Sequence, residues 1–259
     1  MELTSQEIQR YKRNINVTEI GILGQKKLKE SKVLIIGCGG LGSPAALYLA
    51  AAGVGRLGLV DDDIVEISNL QRQILHSTAK IGTLKVESAR DALLKLNNEI
   101  EVKTYALKLS LDNFAAIACD YDFILDCTDS LKSKYMISDG AVSIKKPFCH
   151  AAVMRFTGQI MTCIPGKTPC YRCIFGDPPD DGAVADPASL GVIGAMCGIM
   201  GSLQALEAIK YLTSCGESLK GYMLTVDGLT LNIKKLKLPK CNKNCLACGM
   251  IQENKPAKF

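Results

Sequence analysis

The fold is decided by residues 32–63, KVLIIGCGGLGSPAALYLAAAGVGRLGLVDDD. Their first part is a continuous apolar run that ends at Gly37, and such a run is typical of a strand buried on both faces. A glycine-rich turn follows, and the alanine- and leucine-rich segment 43–52 predicts a helix. Leu57–Val60 predicts a second strand, with Asp61 at its end. The order strand, glycine turn, helix, strand and acid is typical of a nucleotide-binding βαβ unit.

The rest of the chain alternates between helical and strand patterns. Helices are predicted over 4–14, 83–96, 130–145 and 195–212, and strands over 101–106, 122–126, 148–153, 158–164, 222–226 and 231–236. Alternation of this kind predicts an α/β fold: a Rossmann-like, doubly wound, mostly parallel sheet with helices on both faces. The dipeptide Asp227-Gly228 indicates a hairpin, so the strands near the C-terminus are expected to be antiparallel.

The organisation we expect is one domain over residues 1–259, because no repeat or low-complexity linker divides the chain. Its nucleotide-binding half is about residues 1–150, and its second half, for a carrier and a metal, is about 151–249. Residues 176–191 are rich in proline, aspartate and glycine, which predicts an exposed loop. The last dozen residues are polar and are expected to fray.

Composition narrows the class of protein. The chain has 259 residues and a formal net charge of +5, from 31 lysines and arginines against 26 acids, without a dense basic block. This composition excludes a disordered chain, and it gives no reason to expect a nucleic acid or a membrane as partner. The polar N-terminus does not resemble a signal peptide, so we expect a cytoplasmic protein whose 12 cysteines are reduced.

The glycine turn is the first candidate site. Gly37, Gly39 and Gly42 match GxGxxG between a predicted strand and a predicted helix. Glycines let the backbone approach a phosphate, and the helix N-terminus supplies free N–H groups. Asp61 is placed to accept hydrogen bonds from a ribose. The motif by itself fits NAD and ATP equally well.

The charged residues that follow favour ATP. Arg72 and Lys85 are cations that can balance phosphate charge, and Asp129, after the 122–126 strand, can hold Mg²⁺. Carboxyl ends of parallel strands meet at one crevice, so we expect these groups to converge there. An NAD-dependent oxidoreductase would not need them, and it stays open as an alternative. A nucleotide-binding scaffold without catalysis is the third hypothesis for the function of the chain.

The cysteines supply a candidate metal site. Cys170-x-x-Cys173 and Cys245-x-x-Cys248 are two CxxC pairs, and four thiolates suit one tetrahedral, structural Zn²⁺ that would tie down the C-terminal segment. Redox-active pairs are the alternative. Cys241 lies close enough in sequence to Cys245 to compete for a place among the ligands.

Several motifs resemble one enzyme family. They are RYKRN (10–14), GCGGLGSPAALYLAAAGVG (37–55), LVDDD (59–63), NLQRQ (69–73), KVESARDAL (85–93), DCTD (126–129), CYRC (170–173) and GSLQALEAIK (201–210). The chain is similar over residues 8–249 to the adenylyltransferases of the ThiF, MoeB and HesA family. The resemblance implies ATP-dependent adenylation of the C-terminal Gly-Gly carboxylate of a small ubiquitin-like sulfur carrier, for thiamine or molybdopterin biosynthesis.

The resemblance also implies roles for individual residues. Asp61, with Asp63 beside it, would bind the nucleotide through its ribose, and Asp129 would hold Mg²⁺. Arg13 would reach the γ-phosphate in the other subunit of a homodimer. The backbone N–H groups of Gly39, Gly40, Leu41 and Gly42 would cradle phosphates, Asn69, Arg72 and Lys85 would contact the triphosphate, and the two CxxC pairs would bind zinc.

One position departs from the family pattern. Many members carry a cysteine in the loop before the long C-terminal helix, and Pro187 stands there in this chain. We therefore expect adenylation without a thioester on the enzyme, and a separate protein as sulfur donor, since no rhodanese domain follows the second CxxC pair. Cys197 is expected to pack inside the helix, His76 to support a loop and His150 to pack in a strand. The remaining cysteines, 38, 119, 127, 149, 163 and 215, are expected to be mostly core residues.

Overall fold

A computed structural model describes residues 2–179 and 190–249. Its framework is an eight-stranded sheet with strand order β3-β2-β1-β4-β5-β6-β7-β8. Strands β3, β2, β1, β4 and β5 run parallel, and β6, β7 and β8 continue the sheet antiparallel. The predicted fold class, a mostly parallel doubly wound sheet with antiparallel C-terminal strands, is confirmed.

The elements have the following bounds. The strands are β1 (Lys32–Ile36), β2 (Arg56–Val60), β3 (Glu101–Tyr105), β4 (Phe123–Asp126), β5 (Phe148–Met154), β6 (Thr157–Cys163), β7 (Tyr222–Asp227) and β8 (Asn232–Lys237). The helices are α1 (Ser5–Arg10), α2 (Lys12–Ile15), α3 (Gly21–Glu30), α4 (Gly42–Ala52), α5 (Lys85–Leu96), α6 (Leu111–Ala118), α7 (Leu131–Ser143), α8 (Tyr171–Phe175) and α9 (Gly194–Thr213). Within the described residues, every helix is too short or too polar to cross a membrane.

The core lies on both faces of the sheet. Along β1, Val33 and Ile35 belong to one apolar cluster, while Leu34 and Ile36 belong to a second one on the opposite face. The first cluster includes buried side chains of α4, α5 and α9, and the second includes those of α6 and α7. A strand covered on both faces needs apolar side chains at every position, which explains the unbroken run in the sequence.

Sequence patterns located the long elements but missed three short ones. The predicted helix 4–14 is two helices, α1 and α2, which meet at Tyr11. Helices α3, α6 and α8 were not predicted. The hairpin at Asp227 is confirmed, although its turn is longer than the dipeptide suggested, because β8 begins only at Asn232. Residues 180–189 of the predicted loop and the chain end from 250 lie outside the described residues.

The topology creates a crevice between β1 and β4. Strand β1 pairs with β2 on one side and with β4 on the other, so the chain crosses the sheet in opposite directions from this point. At such a switch point the loops after the two strands separate and leave an opening at the carboxyl edge of the sheet. The glycine turn follows β1 and the DCTD segment follows β4, so both border this opening.

Candidate functional site

A cavity of about 1350 Å³ lies at the carboxyl ends of the parallel strands. Eight of the residues predicted to bind the nucleotide line this cavity. They are Gly39, Gly40, Leu41, Asp61, Asp63, Arg72, Lys85 and Asp129. They come from the segments after β1, β2 and β4 and from the start of α5, so the structure brings together residues up to 90 positions apart in the sequence, from Gly39 to Asp129. Asn69, Gly42 and Arg13 are not among the lining residues.

The glycine turn is shaped by close packing. Gly37 has a φ of +96°, and a Cβ there would lie 2.8 Å from the carbonyl oxygen of Cys127. A Cβ on Gly42 would lie 2.0 Å from the carbonyl oxygen of Gly37. Both positions therefore require glycine. The turn leads directly into α4, whose first residue is Gly42, so the positive end of a helix lies beside the cavity.

Asp61 connects the end of β2 to this turn. Its Oδ2 accepts a hydrogen bond from the backbone N–H of Cys38 at 2.7 Å, and its Oδ1 accepts one from the backbone N–H of Asp63 at 2.9 Å. Partial burial raises the pKa of Asp61, although these N–H donors and Lys85 act in the opposite direction. The carboxylate is thus fixed at the mouth of the turn, where a ribose would lie if phosphates occupied the turn.

The two cations differ in how they are held. The Lys85 ammonium is nearly buried and lies 2.8 Å from Oδ2 of Asp63, whose side chain is 68% exposed. Arg72 is half-buried and donates to the carbonyl oxygen of Ser68 at 3.2 Å. Since the exposed Asp63 can move away at little cost, the Lys85 ammonium is available to a bound polyanion.

Asn69 and Arg13 have other surroundings in this chain. The Oδ1 of Asn69 accepts a hydrogen bond from the backbone N–H of Glu66, so its amide closes a short helical turn. Arg13 is exposed on α2. Their expected contacts with the triphosphate stay predictions. Pro187 lies outside the described residues.

A buried polar network below Asp129 was not predicted. Asp126, at the end of β4, is buried and contacts Lys134 on α7 at 3.3 Å and Nδ1 of His150 on β5 at 2.9 Å. Burial raises the pKa of Asp126, but the Lys134 ammonium and the His150 hydrogen bond outweigh it and bring the pKa to about 2. The signal was available in the sequence: an acid that closes a buried apolar strand needs a partner.

Both histidines lie where they were expected. His150 is buried in β5 and its edge contacts the ring of Tyr171, with centroids 4.7 Å apart. Burial and the Lys134 charge lower the pKa of His150 to about 4, so the ring is neutral at pH 7. His76 supports its loop through contacts with the hydroxyl of Ser88 and the carbonyl oxygen of Cys38, both at 2.9 Å.

The two CxxC pairs form a second site. The Sγ atoms of Cys170, Cys173, Cys245 and Cys248 all lie within 4.8 Å of one another. The shortest separations are 3.5 Å from Cys170 to Cys245 and 3.4 Å from Cys173 to Cys248. Four thiolates around one Zn²⁺ at about 2.3 Å would be about 3.8 Å apart, so this donor set fits tetrahedral zinc. Cys241 does not belong to this group of four, so the C-terminal cysteines within it are Cys245 and Cys248.

Most of the other cysteines are buried, as expected. Cys38, Cys127, Cys149 and Cys163 are core residues, but Cys119 is exposed and Cys215 half-buried, so the prediction was wrong for Cys119. Cys119 is the C-cap residue after α6, where the chain leaves the packed helix, and its side chain is exposed. Cys197 is only 4% exposed and also lines the cavity, where burial raises the pKa of its thiol. A thiol with a raised pKa is a poor nucleophile at neutral pH.

Comparison with known proteins identifies the family. The pattern of the ThiF family matches residues 11–247, which is nearly the whole chain. The chain belongs to the ThiF family. Relatives of this ThiF-family protein include the adenylyltransferase and sulfurtransferase MOCS3 of Culex quinquefasciatus, 43% identical over 248 residues, and MOCS3-1 of Zea mays, 45% identical over 247 residues.

The alignments cover nearly all of this chain but only part of each relative. The alignments include 96% and 95% of this chain but only 57% and 53% of the two MOCS3 proteins, so the chain spans little more than half of their length. Among solved structures, E. coli MccB with ATP superimposes with a TM-score of 0.83 at 27% identity, covering 95% of this chain and 75% of MccB. E. coli MccB with AMPCPP and MccA superimposes with a TM-score of 0.82 at 27% identity, over 93% of this chain and 74% of MccB.

Proposed function

We propose that this ThiF-family protein is an ATP-dependent adenylyltransferase that activates the C-terminal Gly-Gly carboxylate of a small ubiquitin-like sulfur carrier. The observation that carries the proposal is the convergence of a glycine turn, Lys85, Arg72 and Asp129 on one cavity. The MOCS3 relatives are named adenylyltransferases, which supports the same reaction. Exchange of pyrophosphate into ATP in the presence of a Gly-Gly-ended carrier tests it.

The proposed reaction is an in-line displacement at the α-phosphorus. A carboxylate oxygen of the carrier forms the new P–O bond, and the bond from the α-phosphorus to the bridging oxygen breaks, so pyrophosphate leaves with its electron pair. The carboxylate is already ionised at pH 7, and no general base is required. Lys85 and Arg72 would stabilise the charge that develops on the phosphates, and the glycine turn would hold them in position.

Two metals have separate proposed roles. Asp129 is exposed at the cavity and would hold Mg²⁺, which when bound neutralises phosphate charge. Cys170, Cys173, Cys245 and Cys248 would hold a structural Zn²⁺, since four thiolates leave no open position for catalysis. In that arrangement zinc ties the segment around Cys245 and Cys248 to α8. Both lie within the second half of the domain, about 151–249.

The carrier tail would follow the antiparallel part of the sheet. The cavity continues from the nucleotide end over β6, β7 and β8, where Gln159, Thr225 and Lys234 line it. A Gly-Gly tail lacks side chains, so it can pass along this part of the cavity and bring its carboxylate to the α-phosphate. Thiamine and molybdopterin biosynthesis are the two pathways we propose for the product.

Two partners complete the proposal. A homodimer would let Arg13, which is exposed on α2 and does not line its own cavity, serve the partner's site. A separate protein would supply sulfur, because a buried Cys197 with a raised pKa is not a suitable attachment point and Pro187 stands where many family members carry a cysteine. Mass spectrometry of the enzyme after turnover should show no carrier bound to a cysteine; a thiol-reducible adduct would contradict this part.

A further inference from the structure

We propose that Lys134 is a positioning residue for the segment that carries Asp129. This inference rests on the proposed function, in which Asp129 holds Mg²⁺. Lys134 lies on α7, its side chain is 5% exposed, and it lines the cavity together with Asp129.

All three protons of the Lys134 ammonium have acceptors at the crevice. The Nζ atom donates to the carbonyl oxygen of Thr128 at 2.7 Å, to the carbonyl oxygen of Ala151 at 2.8 Å and to Oδ2 of Asp126 at 3.3 Å. Thr128 directly precedes Asp129, and Ala151 belongs to the neighbouring strand β5. One side chain thus joins the loop after β4 to the strand beside it.

Lys134 makes these contacts at the point where the loop after β4 leaves the hydrogen-bonded ladder of the sheet. Strands β4 and β5 pair in register only as far as Asp126 and His150, while β5 continues to Met154 against β6. Beyond Asp126, the peptide leaves the ladder to form the rim of the cavity. The two hydrogen bonds from Lys134 to Thr128 and Ala151 replace the ladder contact that the parallel pair no longer makes.

Thr128 is fixed from both of its ends. Its N–H and its hydroxyl donate to Oδ1 of Asp126 at 3.1 Å and 2.7 Å, and its carbonyl accepts from Lys134. His150 holds the other oxygen of Asp126. On the opposite face, Gln204 donates to the carbonyl oxygens of Asp126 and Cys149, at 2.8 Å and 3.2 Å, so the strand end itself is anchored independently of Lys134. Lys134 is the residue that holds the carbonyl of Thr128, the group that leads directly into Asp129.

The test needs a variant that does not leave a buried charge without its partner. Removing Lys134 alone would leave the Asp126 carboxylate unpaired, and loss of one partner of a buried pair commonly unfolds a domain. In the double variant Asp126→Asn/Lys134→Met, both charges are removed. The amide introduced at position 126 can still accept from Thr128 and can donate to a neutral His150. The variant therefore removes chiefly the two hydrogen bonds to the carbonyls of Thr128 and Ala151.

The matched control is the Glu207→Gln/Lys210→Met double variant. Glu207 is a buried carboxylate that pairs with Lys210 on α9 and accepts from Thr162 and from the backbone N–H of Leu219. Neither Glu207 nor Lys210 lines the cavity. If removing a carboxylate–lysine pair simply lowers the free energy of unfolding, that loss will appear in both double variants. An effect seen in the Lys134 double variant alone is then not a general loss of stability.

Two readouts separate positioning from general stability. Hydrogen–deuterium exchange of the peptide 127–131, measured without nucleotide, should be at least about tenfold faster in the Lys134 double variant and unchanged in the control, given the loss of two hydrogen bonds from a charged donor. The Mg²⁺ concentration for half-maximal pyrophosphate exchange should rise about tenfold in the Lys134 double variant alone.

The outcomes distinguish this inference from the proposed function. Equal exchange of 127–131 and an equal Mg²⁺ requirement in the two double variants would overturn the positioning role, even if the wild type is an active adenylyltransferase. Conversely, a wild type that is silent in pyrophosphate exchange would refute the proposed function, while faster exchange of 127–131 in the Lys134 double variant alone would still support its role in fixing this loop.

Discussion

The Oδ2 atom of Asp61 lies 2.7 Å from the backbone nitrogen of Cys38, so the acid at the end of β2 holds the first peptide of the glycine turn after β1. The same carboxylate accepts from the backbone of Asp63, whose side chain contacts Lys85. Asp61, the glycine turn and Lys85 are therefore connected before any ligand arrives. Preorganisation of this kind reduces the cost of binding.

Substitution Lys85→Ala should remove most of the adenylation rate. The Lys85 ammonium lines the cavity, and loss of one preorganised charge partner typically lowers turnover by about 10²- to 10³-fold. Lys80→Ala is the control, because Lys80 pairs with Asp91 at 2.6 Å and does not line the cavity. The measurement is carrier-dependent pyrophosphate exchange, with the melting temperature as a check of folding. A scaffold without catalysis would show no exchange in the wild type or in either variant.

Substitution Arg13→Ala should affect the partner's site rather than its own. We expect Arg13→Ala and Arg72→Ala homodimers to be nearly inactive, since each lacks one phosphate-binding cation at every site. Mixed dimers of the two variants contain one site with both defects and one with neither. Recovery of up to about half of the wild-type rate per mixed dimer is the expected result of this pairing. If mixing restores nothing, the arginine does not act across subunits.

Loss of one cysteine from the four-sulfur cluster should release zinc and lower stability. Cys248→Ser removes a ligand, whereas Cys241→Ser changes a nearby cysteine outside the cluster. We expect about one zinc per chain in the wild type and in Cys241→Ser, and little in Cys248→Ser, by elemental analysis. The melting temperature should follow the metal content, because structural zinc contributes directly to folding. A cluster that is redox-active instead would show no zinc in any of the three proteins.

The pH dependence of stability should contain a contribution from His150. Its pKa is about 4 in the folded protein, against about 6.5 for an unperturbed histidine. Between these values the unfolded chain binds a proton that the folded chain does not, so the free energy of unfolding falls as pH drops from about 6.5 towards 4. The slope for one such group approaches about 1.4 kcal/mol per pH unit.

The variant His150→Gln isolates this contribution. In urea unfolding at equal zinc concentration, its free energy of unfolding should fall less steeply than that of the wild type between about pH 6.5 and 5. Between about pH 7.5 and 8.5 the two slopes should agree, because His150 is then neutral in both folded and unfolded wild type. Parallel curves across the whole range would mean that burial does not hold His150 neutral. The second histidine, His76, is present in both proteins and cancels in the comparison.

Sequence patterns predicted the framework because its elements have strong local signals. The apolar run before Gly37 indicated a strand buried on both faces, and glycine stands at positions 37 and 42, where a Cβ would meet a backbone oxygen at 2.8 Å and 2.0 Å. The CxxC pairs predicted a four-thiolate cluster from spacing alone, and the structure brings the four sulfurs together. The missed helices are short: α8 has only 5 residues, too few for a clear period, and α6 and α3 have 8 and 10 residues.

The network below Asp129 illustrates what spacing does not reveal. Lys134 looks like an exposed lysine on an ordinary helix, and only the packing of α7 against β4 and β5 directs it inward to Thr128 and Ala151. Likewise, His150 reads as a packed strand residue, which it is, yet its hydrogen bond to Asp126 depends on the register of two strands far apart in sequence. Such contacts are tertiary, so a single sequence does not determine them.

The most direct measurement is exchange of labelled pyrophosphate into ATP by the purified protein, with and without a small ubiquitin-like carrier that ends in Gly-Gly. Adenylation predicts exchange that requires Mg²⁺ and the carrier and that vanishes when the two terminal glycines are deleted. Absence of exchange with every such carrier, together with binding of NADH in the same cavity, would contradict the account and favour an oxidoreductase.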